Sequence, residues 1–296
     1  MTDQALPRSV AGGAATRRPR FSPWKAHSIL PGFGLSMGIT LTYLSLIVLL
    51  PVTALAIRPW ELGPAGIWEA LTAPRVAAAL KLSFGLSALA ALTNAPLGLL
   101  LAWTLTRYRF PGRRVLDALV DLPFALPTAV AGIALTAIYA PNGAMGMLAA
   151  KVGIKTAYSP LGIYIALVFI GLPFVVRAIQ PVMEDLDREV EEAAQTLGAT
   201  SFQRAVMVIL PTVAPALISG LSLAFARAVG EYGSVVFIAG NMPMKTEIAP
   251  LIITIKLEQY DYAGAAAVGM SMVVISFGTL LAVNAVQIFL AKRGKR

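Results

Sequence analysis

The sequence places two opposite charges, Arg227 and Glu231, inside a long apolar run, and they are the first candidates for chemistry. Residues four apart on a helix share a face, so these side chains can neutralise each other; Ser222, Ala226 and Gly230 add small residues that favour close helix contact. Charged groups in hydrocarbon often mark a transport pathway, where a guanidinium can offer forked hydrogen bonds to an oxyanion. An internal ion pair that locks the helix against its neighbours is the alternative, and the sequence leaves both interpretations open.

Several kinds of enzyme site are excluded by the residue inventory. The chain has no cysteine and a single histidine, His27, so a thiol nucleophile or thiolate metal site is excluded, and no metal site or catalytic residue is predicted. A nucleotide-binding P-loop ends in Gly-Lys-Ser/Thr, but the only Gly-Lys pair is Gly294-Lys295 at the C-terminus. The chain is therefore predicted to have no ATPase site or cofactor of its own.

A polar segment between two apolar runs carries a different signal. Good helix formers fill 189–197, Gly198 tolerates a left-handed backbone, and Thr200-Ser201 can cap a following helix. We predict a helix, a tight turn and a second helix at the membrane surface. A short helix held between two membrane spans can pass the movement of a soluble partner to both of them.

This segment resembles the cytoplasmic loop of the integral membrane subunits of ABC importers, whose signature reads E-A-A, three residues, G, nine residues, then I-x-L-P. The matching residues are Glu192, Ala193, Ala194, Gly198, Leu210 and Pro211, and Val208 replaces the isoleucine. The resemblance implies that these residues couple the chain to a separate ATPase subunit, which would bind ATP and magnesium.

The elements that must position these residues are membrane helices. Hydrophobic residues make up 57% of the chain and charged residues 13%, and a helix needs roughly 20 apolar residues to cross a bilayer. Six runs are long enough: 31–57, 82–106, 122–150, 156–176, 211–240 and 262–291. We therefore predict an all-α integral membrane domain over residues 31–296, with a cytosolic coupling loop at about 184–210. Residues 1–30, rich in Arg and Pro, are predicted to form a disordered basic cytosolic tail.

The positions of Lys and Arg predict the orientation. With the N-terminus inside, 16 of the 24 lie in cytosolic segments and seven in outer segments, while Arg227 lies within a span. Both termini and the 192–198 segment are thus predicted to be cytosolic. Most of the net charge of +9 then reflects topology rather than nucleic-acid binding, with attraction to anionic membrane lipid as a secondary effect.

Two prolines at the start of the third run predict a broken helix. Pro123 and Pro127 follow Asp117 and Asp121, and each proline removes a backbone donor, so the helix should bend or break there. Broken helices often line transporter cavities, although some are simple kinks. Pro123 and Pro127 therefore join Arg227 and Glu231 as candidate pathway residues.

Longer phrases at 105–113, 121–132, 227–233 and 238–241 resemble the sulfate/thiosulfate permease subunits of ABC importers over nearly the whole chain after about residue 29. That resemblance implies the type I importer (MetI-like) fold with six spans, in the cell's inner membrane. The implied partners are a second permease subunit, two ATPase subunits and an extracytoplasmic sulfate/thiosulfate-binding protein. A molybdate or tungstate permease shares part of the pattern and remains an alternative, as does an ion-coupled secondary carrier, which would be expected to have intramembrane acidic residues besides Glu231.

Overall fold

The computed structural model describes residues 33–293 of the chain. Every regular element in this range is helical, so the predicted all-α class is confirmed. The predicted basic tail, residues 1–30, lies outside the described range. The chain divides into two compact units, one ending at Pro51 and the other beginning at Val52.

The α-helices follow in chain order. They are α1 (Phe33–Leu44), α2 (Leu50–Ile57), α3 (Gly63–Thr72), α4 (Pro74–Arg107), α5 (Arg113–Val120), α6 (Leu122–Ala125), α7 (Thr128–Tyr139), α8 (Ala144–Lys151), α9 (Pro160–Glu184), α10 (Arg188–Thr196), α11 (Ser201–Arg204), α12 (Leu210–Val229), α13 (Gly233–Ile238), α14 (Ala249–Glu258) and α15 (Tyr262–Arg293). Wider π-helical turns at Ser45–Leu49 and Ala205–Ile209 precede α2 and α12, and a 3₁₀ turn at Arg58–Leu62 precedes α3.

Five helical stretches in the described range are long and apolar enough to cross a membrane: Phe33–Thr72, Pro74–Arg107, Pro160–Glu184, Ser201–Val229 and Tyr262–Ala285. A sixth candidate is the pair α7 and α8, which is bent by 44°. Six spans are obtained, as predicted, when that pair counts as one.

Two of the predicted runs are not continuous helices. The third is interrupted between Tyr139 and Ala144, where Pro141 cannot donate a backbone hydrogen bond and Gly143 N–H turns back to the Ala140 carbonyl at 2.8 Å. The fifth ends as a helix at Val229 instead of reaching residue 240. The third run has no charged residue and the fifth has only Arg227 and Glu231, so the hydropathy of each run predicts one continuous helix.

The centre of the second unit is formed by α4, α9 and α12, which pack through glycines. A Cβ on Gly98 would lie 2.6 Å from Val175 Cγ1, and one on Gly220 would lie 3.0 Å from Val175 Cα. The buried small residues of α12 are Gly220, Ala224 and Ala228, spaced by four. The prediction that Ser222, Ala226 and Gly230 form the close-contact face was wrong, because Ser222 and Ala226 are only half-buried and Gly230 lies past the end of α12 and is exposed.

Candidate functional site

The polar segment between the fourth and fifth spans forms two short helices joined by a tight turn, as predicted. Asp187 begins α10 by accepting a hydrogen bond from Glu189 N–H at 3.0 Å. Gly198, with φ of +84°, ends it in the left-handed conformation. Thr200 then caps α11: its hydroxyl accepts from Gln203 N–H at 3.3 Å, and the Gln203 side chain accepts from Thr200 N–H at 2.8 Å.

The signature residues of α10 point mostly to solvent. Glu192 and Ala193 are exposed, and Ala194 is half-buried. Leu197 is 88% exposed and Phe202, on α11, is 76% exposed. The exposed part of α10 and α11 thus carries an acidic residue and two large apolar side chains, and we call it the coupling surface. Such a mixture is typical of a surface that another protein covers.

Leu210 and Pro211, the end of the signature, have a different position. They begin α12, which continues directly from the π-helical turn at Ala205–Ile209, and Leu210 packs partly buried against the core. The signature thus joins an exposed helix at one end to a core membrane helix at the other.

A contact that sequence reasoning missed ties α10 to the membrane core. Arg107, the last residue of α4, forms an ion pair with Glu191, and both side chains are largely buried, at 14% and 20% exposure. Of the two adjacent glutamates, only Glu192 belongs to the signature. The sequence does place an arginine, Arg107, at the end of an apolar run and two adjacent glutamates in the polar segment, which is a weak sign of an ion pair. Only the fold shows which of the two glutamates faces inward.

A second ionic cluster joins α5 to α9. Arg177 donates from Nε to Asp121 at 2.8 Å and from Nη1 to Asp117 at 2.7 Å, and its Nη2 reaches the Asp117 carbonyl at 3.0 Å. Asp117 and Asp121 precede the predicted helix break, but their partner was not foreseen. The cluster holds the start of this broken region against α9.

The helix break predicted from Pro123 and Pro127 is confirmed. Pro123 lies in the single turn α6, and Pro127 immediately precedes α7, after an extended residue at Leu126. Pro123 is half-buried and Pro127 is exposed. Leu126 and Pro127 therefore separate α6 from α7 within a run that hydropathy alone predicts to be one helix.

Arg227 and Glu231 form the predicted ion pair, with Arg227 Nη1 donating to Glu231 Oε2 at 2.5 Å. Glu231, however, is not on the same helix, because it lies in the three-residue break between α12 and α13. Its second oxygen accepts hydrogen bonds from the Ser234 backbone N–H at 3.0 Å and hydroxyl at 2.9 Å. The Glu231 side chain is 2% exposed and that of Arg227 is 35% exposed. Among the described residues, Nε and Nη2 of Arg227 have no hydrogen-bond partner, so these donors remain available.

The region of the proline break and the region of the ion pair meet in space. A Cβ on Gly233 would lie 2.2 Å from Thr128 Oγ1, and one on Gly132 would lie 2.5 Å from the Ser234 carbonyl oxygen. Only glycine permits this approach of α7 and α13. The proline pair and the ion pair, which are about 100 residues apart in sequence, therefore border one structural region, which we call the α7–α13 junction.

Comparison with known proteins identifies the family. Residues 94–293 match the model for binding-protein-dependent transport system inner membrane components. The sulfate transport system permease protein CysT of Escherichia coli is 48% identical over 88% of this chain and 94% of its own length. CysT of a Synechocystis species is 45% identical over 90% of this chain and 92% of its own length.

Solved structures support the same fold. A bacterial alginate ABC transporter, crystallised with a pentasaccharide-bound periplasmic protein, matches with a TM-score of 0.70 at 18% identity, over 85% of this chain and 92% of that one. The MetNI methionine ABC transporter in an inward-facing conformation matches with a TM-score of 0.53 at 18% identity, over 81% of this chain and 98% of that one. The predicted type I importer fold is confirmed. The chain belongs to the family of binding-protein-dependent transport system inner membrane components.

Proposed function

We propose that this protein is the membrane-spanning permease subunit of an ATP-driven sulfate/thiosulfate importer. The observation that carries the proposal is the coupling surface, which is exposed and is connected to α4 by the Arg107–Glu191 ion pair. The substrate is taken from the 48%-identical relative, which is named a sulfate transport permease. A carrier that used an ion gradient would have no need of such a surface.

The energy for transport comes from partner subunits in this proposal. Two ATPase subunits of the CysA type bind ATP and magnesium, and this chain has no cofactor or ATPase site of its own. Leu197 and Phe202 offer apolar contact area to the ATPase, and Glu192 offers a charge for specificity. A second permease of the CysW type completes the membrane part, and an extracytoplasmic sulfate/thiosulfate-binding protein delivers the anion.

The orientation of the chain in the membrane follows from the role of the coupling surface in binding the ATPase. The ATPase is cytosolic, so the coupling surface must face the cytosol, in agreement with the distribution of Lys and Arg. The chain is then a multi-pass protein of the cell's inner membrane with both termini in the cytosol.

The α7–α13 junction is our candidate for part of the translocation pathway. Arg227 holds one nitrogen on Glu231 and keeps free donors on a partly exposed side chain, which suits a brief contact with an oxyanion. Glu231 orients the guanidinium and lowers its net attraction for an anion, so that an ion could leave as well as enter. Pro123 and Pro127 contribute the broken helix beside it.

Reconstituted transport tests the function. Vesicles containing both permeases and the ATPase are loaded with ATP inside, and the binding protein and radiolabelled sulfate are added outside. Uptake should require both ATP and the binding protein, and unlabelled thiosulfate should compete. Stronger competition by molybdate than by thiosulfate would change the substrate assignment, and uptake driven by a pH or sodium gradient without ATP would refute the importer.

Variants of Arg227 test the pathway within the same vesicles. Arg227→Ala should still insert into the membrane, but it leaves the buried Glu231 carboxylate without its ionic partner. Its transport is therefore compared with wild type at equal amounts of assembled complex, where it should be poor. Arg227→Lys keeps the positive charge for Glu231 but loses the forked donors, so it should also transport poorly. Normal uptake by both variants would remove Arg227 from the pathway.

A further inference from the structure

We propose that the Arg107–Glu191 ion pair is the tether through which movement of the coupling surface reaches the membrane core. The inference deepens the proposed function, because it rests on a partner ATPase acting on α10. It assigns positioning roles to two residues outside the coupling signature.

The ion pair is shielded from solvent, unlike most of the described side chains of α10. Nε and Nη2 of Arg107 and Oε1 of Glu191 are almost inaccessible to water, and Nη2 and Oε1 meet as an ion pair without the geometry of a hydrogen bond. By contrast Glu192 and Ala193 are exposed, and Leu197 is 88% exposed. The adjacent glutamates therefore have opposite surroundings: Glu191 faces the protein and Glu192 faces outward. Shielding strengthens the electrostatic attraction between Arg107 and Glu191 and protects it from salt.

The arginine end of the tether is fixed firmly to the core. Leu105, two residues earlier in α4, is completely buried. The Thr106 hydroxyl contacts Met183 Sδ of α9 at 3.6 Å, and Gly98 brings the two helices together further along. A force applied to Arg107 is thus applied to the packed pair α4 and α9 rather than to a loose chain end.

The glutamate end belongs to a pair of short helices that are hydrogen-bonded to each other. Arg204 of α11 donates to the Gln195 side chain of α10 at 3.0 Å and to the Ser201 hydroxyl at 3.1 Å. The two short helices are therefore joined to each other as well as by the turn at Gly198. Along the chain, α10 is linked to α9 and α11 to α12. The ion pair adds a direct link from α10 to α4, which no peptide connection supplies.

A tether and a purely stabilising ion pair predict different results. If the pair only stabilised the fold, its loss would lower the amount of assembled complex but leave the behaviour of the surviving complex unchanged. If it transmits movement, the surviving complex should hydrolyse ATP without matching transport. The informative quantity is therefore the number of ATP molecules hydrolysed per sulfate imported, measured on complex that has been purified intact.

The experiment compares four variants in vesicles with the complete complex, binding protein and sulfate. Arg107→Gln and Glu191→Gln should raise the ATP cost per sulfate by roughly tenfold, within the range expected for residues along a coupling route. The reciprocal double variant R107E/E191R restores an attractive pair and should recover most of the coupling. Arg109→Gln, which removes a nearby exposed arginine, is the matched control and should match wild type.

The outcomes separate the tether from the importer function. Wild-type coupling in both single variants would overturn the tether while leaving ATP-driven sulfate uptake established. Failure of the reciprocal variant to improve on the single variants, at equal recovery of intact complex, would also overturn it. If wild-type protein itself shows no ATP-dependent uptake, the proposed function fails first.

Discussion

Removal of the Glu231 carboxylate is the sharpest test of the α7–α13 junction. Glu231 is buried and accepts hydrogen bonds from Arg227 and from two donors of Ser234, which is itself completely buried. In Glu231→Ala both Ser234 donors lose their acceptor, at about 1–3 kcal/mol each. The Arg227 charge loses its partner as well, but at 35% exposure it can be hydrated, so we allow only ~1 kcal/mol for it.

The expected loss of stability in Glu231→Ala is therefore about 3–7 kcal/mol, a range that includes the usual cost of breaking a buried ion pair. Glu231→Gln keeps an oxygen that can accept from Ser234 and should lose only about 1–2 kcal/mol, because a neutral acceptor bonds more weakly than a charged one. The midpoint of thermal unfolding of the purified complex in detergent, followed by gel filtration after heating, should fall in the order wild type, Gln, Ala.

The control for Glu231 is Glu258→Ala, which removes an exposed carboxylate at the end of α14 and should leave the unfolding midpoint unchanged. A midpoint for Glu231→Ala equal to that of this control would refute the reasoning. So would a Glu231→Gln variant as unstable as Glu231→Ala, because the Ser234 bonds would then have no measurable role.

Three other predictions concern separate parts of the molecule. Gly220→Leu should destabilise the complex by about 1–3 kcal/mol, because α9 leaves no room for a side chain, whereas Gly278→Leu meets open space and should unfold at the wild-type midpoint. Leu197→Asp should leave the unfolding midpoint of the isolated subunit unchanged but abolish co-purification of the ATPase, and retained ATPase would contradict the docking role. The hydrogen bond from Lys256, helped by the Gly264 N–H, lowers the pKa of Asp261, so its stabilising effect is complete above the unfolded pKa of about 4 and is lost as pH falls through the lower folded pKa. Asp261→Asn should therefore lower the midpoint slightly at neutral pH and not in strong acid, and an equal effect at both would contradict the assignment.

The helical class and the coupling segment could be predicted because they depend on local properties. A run of about 20 apolar residues can satisfy its backbone in lipid only as a helix, wherever its neighbours lie. Gly198 and Thr200 act on the backbone within a few residues, so the turn and the second helix of the segment follow from them directly. The break at Pro127 is local for the same reason, since a missing N–H affects its own helix.

Other features depend on which surfaces meet. The charges of Arg227 and Glu231 predict an ion pair, but the break at Gly230 that places Glu231 against Ser234 is not evident from hydropathy, because the run around the pair is otherwise apolar. The face of α12 that contacts α9 was predicted wrongly. Several small residues of this helix occur at helical spacing, and only the structure shows that Gly220 is the one that lies against α9.

The sequence by itself determined that this protein is a bundle of membrane helices with a polar segment suited to binding a separate, soluble subunit, because hydropathy, capping and proline effects act over a few residues. Only the tertiary structure decided that Glu191, rather than Glu192, turns inward to Arg107, and that residues near 128 and 233 share one junction. Ionic attraction and close packing act between atoms that are neighbours in space, and the sequence does not state which distant residues become neighbours.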